Sequence, residues 1–215
     1  MKDELMYTPK HFRVTDRNDL VAFIGRYGFG VLLSSNDQGR CQNSWLPLVL
    51  NTDETMLEGH IARANPQWRG WTKKTSVSVL FLGPHAYISP TAYGEGANVP
   101  TWNYATVRVD GAIEIVDDPG EGVAIVSRLV EQNERDRSPQ WTFDADSEFS
   151  QGLLKAIVCF RIRIESMHGS FKMNQNKPES VQDRVIDYLS QQHGGLSDQA
   201  CAAFMRDLRT EQDSE

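Results

Sequence analysis

Thr106-Val-Arg-Val-Asp-Gly-Ala-Ile-Glu-Ile115 alternates apolar and polar residues almost perfectly around Asp110-Gly111, and this stretch decides the fold class. A period of two places every second side chain on one face of an extended chain, so the segment reads as a half-buried strand. Ala156-Ile-Val-Cys-Phe-Arg-Ile-Arg-Ile-Glu165 repeats the pattern, with Phe160, Ile162 and Ile164 on one face and Arg161, Arg163 and Glu165 on the other. Upstream, Ser76 to Leu82 alternates as well. Gly30 to Ser35 and Asn43 to Leu50 flank the turn signal Asn36-Asp-Gln-Gly39 as a hairpin, and Met56 to His60 follows as a further strand. Pro47 has no amide donor, which predicts an edge or a bulge in its strand. Asp16 N-caps a helix carrying Leu20, Val21, Phe23 and Ile24 and ending near Gly25 to Gly28. Asn65 and Pro66 start a short helix, and further helices are expected at about 120–135, at about 147–154 and in the tail. Several short antiparallel strands with few intervening helices predict a mainly β fold with some α, a barrel and not a doubly wound sheet.

With 215 residues, 40% of them hydrophobic, the chain can bury a full core as one domain over 1–178, followed by a helical extension over 179–215 that packs on the barrel or on a partner. No apolar run reaches signal-peptide or membrane-span length, which predicts a cytoplasmic protein without a membrane partner. Cys41, Cys159 and Cys201 lack any Cys-x-x-Cys spacing, so neither a disulfide framework nor a thiolate metal site is expected, and Cys159 reads as a small buried hydrophobe. His11, His60, His85, His168 and His193 show no chelating spacing either. The net charge of −7 opposes direct nucleic-acid binding. Two helical segments flank His193-Gly194-Gly195 in a helix-turn-helix-like layout, but residues 179–215 carry eight acids against three bases, a net of −5. Such a tail repels phosphate.

Chemically specific residues gather in three stretches: Gly59 to Pro66, Gly83 to Tyr104 and Phe171 to Lys177. Arg63 lies where a strand gives way to the Asn65 helix, and a guanidinium beside a helix amino terminus suits a phosphate ester. The structural alternative is a surface arginine capping a carbonyl. Between Gly83-Pro84 and Val99-Pro100, the aromatic residues Tyr87, Tyr93, Trp102 and Tyr104 suit a planar ring, with Ser89, Thr101 and Asn103 at its polar edge. Plugs for a barrel mouth would look the same. Lys172, Gln175 and Asn176 follow the last long strand and suit a heterocycle with alternating donors and acceptors, or else form a solvated loop entering the tail at Pro178. Together these residues point to a flavin phosphate. The dinucleotide fingerprint, the P-loop and the nucleophile elbow are all absent, which leaves hydrolase chemistry without support.

In their order these motifs resemble the PaiB family of FMN-binding negative transcriptional regulators. The resemblance rests on Met6-Tyr-Thr-Pro-Lys-His-Phe12, Leu46-Pro47, Gly59-His-Ile-Ala-Arg-Ala-Asn-Pro-Gln-Trp68, Phe81-Leu-Gly-Pro-His-Ala-Tyr-Ile-Ser-Pro90, Val99-Pro-Thr-Trp-Asn-Tyr104 and Phe171-Lys-Met-Asn-Gln-Asn176. It implies a split β-barrel of the pyridoxamine-phosphate-oxidase type, a homodimer, and FMN held near the subunit interface. The candidate cofactor residues, read from the stretches above, are Arg63, Ser89, Thr101, Trp102, Asn103, Lys172, Gln175 and Asn176. Two positions depart from the family pattern. Pro90-Thr-Ala-Tyr93 has Ala92 where the family carries Trp, and Asn174 stands where the family carries Ser. The loss of an aromatic at Ala92 bears on substrate identity and cofactor affinity. A flavoprotein, acting as a redox enzyme or a flavin-dependent regulator, is the reading preferred; a haem-binding split barrel with His60 as axial ligand and a direct DNA-binding repressor are the alternatives. The sequence names no catalytic residue.

Overall fold

The computed structural model describes residues 5–96, 98–191 and 195–212, the last two of these by backbone only. Asp16 caps α1 (Arg17–Arg26), its carboxylate accepting from the amides of Asn18 and Asp19, and Leu20, Phe23 and Ile24 form the buried stripe. The hairpin of β2 (Phe29–Ser35) and β3 (Cys41–Leu50) turns through Gly39 at φ 71°, a backbone region that glycine enters without strain. The chain continues through β4 (Met56–Ala62), β5 (Ser76–Ile88) and β6 (Thr101–Ile115), then α2 (Pro119–Glu134), α3 (Glu148–Leu154) and β7 (Ile157–Lys172). The tail forms α4 (Glu179–Ser190) and α5 (Leu196–Gln212), while His193 and Gly194, on which the helix-turn-helix-like layout turned, lie outside the described residues.

With the two-residue β1 (Arg13–Val14) at one end, the sheet order is β1-β7-β4-β3-β2-β5-β6, and β6 pairs again with β7 to close a ring. The β1–β7, β7–β4, β4–β3, β3–β2 and β2–β5 ladders are antiparallel. This is the split barrel. Closure demands a close approach at Gly111, where an added Cβ would sit 2.2 Å from the Arg163 carbonyl oxygen. Pro47 meets the expectation of an edge or a bulge locally: β3 as a whole lies between β2 and β4, but at Pro47 its β4 side is unpaired. The proline is accommodated because its register partner is Phe29 on β2, while pairing to β4 begins only at Leu48.

The strands divide the chain into two compact units. One holds Asp16–Phe81 and Val107–Met167; the other holds the segment to Thr15, Leu82–Thr106 and the chain from His168 onward. In the former, Leu32, Leu48, Leu57, Ile61, Val79, Phe81, Val107, Val109 and Ile162 fill the interior, and Trp71 meets Phe160 edge-on at 5.3 Å. Glu58 on β4 is 2% exposed and is held by Arg128 at 2.5 Å and Arg161 at 2.9 Å. In the latter, Ala86, Ile88, Phe171 and Met173 from the strand ends pack with Val185, Ile186 and Leu189 of α4 and Cys201 and Phe204 of α5, Phe171 meeting Phe204 edge-on at 5.3 Å.

Candidate functional site

In β6, inward positions recur at Asn103, Ala105, Val107, Val109, Gly111 and Ile113, so the strand's parity delivers Asn103 to the interior and Trp102 to the surface. Asn103 is 0% exposed; its amide nitrogen lies 3.5 Å from Met205 Sδ, and its Oδ1 has no partner among the described residues. In β5 the inward parity changes between Gly83 and Pro84, which turns His85 and Tyr87 outward. Trp102, 54% exposed, then stands edge-on to Tyr87 with ring centres 6.0 Å apart and tilted to His85 at 6.4 Å. These rings form an exposed aromatic edge. Lys172, the last residue of β7, donates to Thr101 Oγ1 at 2.7 Å and to the Trp102 carbonyl at 2.5 Å, with its ammonium 5.9 Å from the Phe12 ring. No described carboxylate pairs with it, and burial lowers its pKa from 10.5.

Thus Thr101, Trp102, Asn103 and Lys172 come together on adjoining strand ends. Ser89 and Gln175 lie in the same unit but are engaged locally. Ser89 Oγ caps the 3-10 turn Pro90–Tyr93 and meets Thr91 Oγ1 at 2.8 Å. The Gln175 amide accepts from the Met173 amide and donates to the Phe171 carbonyl, bracing the turn in which Asn174 adopts φ 65°. Asn176 is exposed. Ala92 is buried within the Pro90–Tyr93 turn.

Arg63 belongs to the other unit. Its Nε donates to the Lys155 carbonyl at 2.8 Å and its Nη2 to the Ile157 carbonyl at 2.7 Å, fixing the guanidinium across to the start of β7. The following turn, Pro66–Gly70, is 3-10 and capped by Asn65 as the sequence predicts. It inserts Gln67, which is buried and bonded to Ser34 Oγ at 3.0 Å and Ser44 Oγ at 2.6 Å. That polar cluster escaped the sequence reading because its members lie on three separate segments. Phe12 escaped it as well, its apolar character giving no hint of the ammonium above it.

The donor set fits a flavin. A ring edge with carbonyl acceptors flanking an N–H requires adjacent donors and an acceptor; Lys172 and Thr101 supply the former, and the orphaned Asn103 Oδ1 is a buried acceptor without a donor. The exposed aromatic faces supply stacking area. Among the described residues no group of three or more His, Cys, Asp or Glu side chains is arranged to hold a metal ion, and no helix is long and apolar enough to cross a membrane.

Comparison with known proteins bears on the family and the fold. A family profile described as "Putative FMN-binding domain" matches residues 6–166. The chain is 35% identical over 188 residues to protease synthase and sporulation protein PAI 2 of Bacillus subtilis, covering 86% of this chain and 89% of that one. Among solved structures it is similar to an FAD- and haem-binding protein from Mycobacterium smegmatis, with a TM-score of 0.59, 11% identity and coverage of 79% of this chain and 78% of that one. It is also similar to the flavocytochrome Anf3 from Azotobacter vinelandii, with a TM-score of 0.57, 10% identity and coverage of 77% and 72%. At such identities the structural likenesses speak for the fold, while the profile and the Bacillus relative speak for the family: the chain belongs to the PaiB family of FMN-binding split barrels.

Proposed function

We propose that the protein works as an FMN-dependent redox protein or flavin-responsive regulator of the cytosol, active as a homodimer. The observation that carries this reading is the Lys172 ammonium, held by Thr101 and Trp102 without a carboxylate partner among the described residues, beside the exposed rings of Trp102 and Tyr87. Lys172 and Thr101 would meet the ring edge and Asn103 Oδ1 would accept from it. Ser89, Gln175 and Asn176 would shape the adjoining turns. All of these residues belong to one unit, and the reading rests on them. When bound, FMN supplies one- or two-electron transfer; the protein's own part is to position the ring edge and to hold positive charge near it.

Each unit presents apolar surface that a partner copy would cover. Phe29 and Trp45 stack at 6.1 Å and are 59% and 60% exposed, and Leu82, Tyr87 and Trp102 lie open in the other unit. The regulator reading does not require the tail to read DNA. Its three bases are engaged: Arg184 on the Tyr93 carbonyl, Arg206 on Ser190 Oγ and Arg209 on Asp183. FMN titration into the wild type and Lys172→Met, with light scattering on the loaded protein, tests the proposal. A flavin spectrum, a dimer and at least about tenfold weaker binding in the variant are expected. A Soret band in place of flavin absorption moves the assignment to haem; a flavin-loaded monomer removes the dimer; equal affinities remove Lys172.

A further inference from the structure

The unit made of Asp16–Phe81 and Val107–Met167 contains a cavity of about 610 Å³ at the end of β4, the start of α2, the end of α3 and the first residues of β7. Its lining lies wholly within that unit. The floor is aliphatic: Ile115, Val116, Val123, Leu154, Ile157 and Val158 line it, with Trp68 as an aromatic wall. Trp68 Nε1 is engaged by the Arg63 carbonyl at 3.0 Å, leaving its ring face as the contact surface. Cys159 closes the floor; its Sγ lies 3.7 Å from the Gly122 carbonyl, and burial raises its thiol pKa, so it presents a neutral, apolar sulfur.

The rim is charged. Arg63 and Lys155 stand there as cations, Arg63 already oriented by its two carbonyl bonds. Two acids, Asp117 and Asp118, line the cavity as well and balance the two cations in formal charge, Asp118 Oδ1 accepting from the Glu121 amide at 2.8 Å. On α3, Phe149 and Leu153 are exposed. Ligand pockets of small molecules span roughly 300–1,000 Å³, with apolar walls and a few polar groups that fix orientation, and the cavity has that make-up.

We propose that this cavity is a second ligand site, which takes a small amphipathic organic anion with its apolar or aromatic body on the aliphatic floor and its carboxylate or sulfonate between Arg63 and Lys155. The site stands independently of the flavin reading, and the test separates the two.

The probe is 8-anilinonaphthalene-1-sulfonate, an aromatic body bearing one anionic group, titrated into FMN-saturated protein while its fluorescence is followed. The expected result is one saturable site. Val123→Trp and Leu154→Trp fill the cavity from two different elements, and each is expected to weaken the probe by about tenfold or more with melting temperature and FMN affinity retained. Lys155→Gln is expected to weaken it by roughly twofold to fivefold at low salt and to have no effect at high salt, as for an exposed charge. Wild-type affinity in both filled variants overturns the proposal, because the probe then sits elsewhere. Competitive displacement of the probe by FMN overturns it too, because the cavity then belongs to the flavin. If the protein takes up no FMN, the flavin reading fails by itself, and the filled variants decide this site in the flavin-free protein.

Discussion

Replacing Lys172 by Met keeps the length and packing of the side chain and removes its charge and its donors. In the free protein two of the three ammonium N–H groups are spent on Thr101 Oγ1 at 2.7 Å and the Trp102 carbonyl at 2.5 Å, leaving the third for a ligand acceptor. A charge-assisted hydrogen bond contributes about 1.5–3 kcal/mol, and because Lys172 is only half-buried the lower part of that range applies, about 1.5–2 kcal/mol. That converts to roughly 10–30-fold weaker FMN binding. Stability should change little. Thr101 and Trp102 reach solvent and can bond water, and relief of a desolvated ammonium offsets the lost hydrogen bonds, so a net change within about 1 kcal/mol is expected. The pH profile gives a second readout. Burial lowers the Lys172 pKa below 10.5, so in the free protein the ammonium deprotonates earlier than an exposed lysine would. A ligand acceptor favours the protonated form, so wild-type affinity falls as pH rises toward that lowered pKa, whereas the Met variant lacks this component. The assay is quenching of FMN fluorescence from pH 7 upward. A Lys172→Met protein with wild-type affinity and an identical pH profile would refute the placement of Lys172 at the ring edge.

Three further outcomes are expected. Glu58→Gln leaves the guanidinia of Arg128 and Arg161 without their buried countercharge and should cost about 3 kcal/mol, the low end for a broken buried ion pair because both arginines are partly exposed; denaturant unfolding with a loss under about 1 kcal/mol would contradict it. Burial lowers the His60 pKa below 6.5, so between that lowered value and 6.5 the unfolded chain binds more protons and stability falls as pH falls through this window. His60→Gln should flatten the drop in melting temperature between about pH 7 and pH 5, and an unchanged drop would show that other groups cause it. Deleting residues 179–215 uncovers Phe171 and Met173 and should lower solubility or melting temperature, while the intact chain should not retard DNA at physiological salt; tight operator binding lost on truncation would reverse the reading of the tail.

What the sequence showed and what it concealed divide along the range of the interactions involved. Alternation in Thr106–Ile115 and Ile157–Glu165, the Asp16 and Asn65 caps and the Gly39 turn are local, and the structure places them as read. The strand ends were harder to read. Gly83-Pro84 and Pro100 look like boundaries, yet β5 runs through to Ile88 by a change of parity, and β6 starts at Thr101. Carrying the β6 alternation back by two periods from Val107 would have placed Asn103 inside, because it shares parity with Ala105 and Val107. Other contacts have no local signal: Arg63 reaches carbonyls 92 and 94 residues away, and Lys172 meets Thr101 across 71. Ring closure joins the two classes. Gly111 sits in the middle of the most regular strand in the chain, where glycine costs strand stability. The Arg163 carbonyl at 2.2 Å from its missing Cβ is the reason for it, so any side chain at Gly111 should open the β6–β7 seam while leaving the local alternation intact.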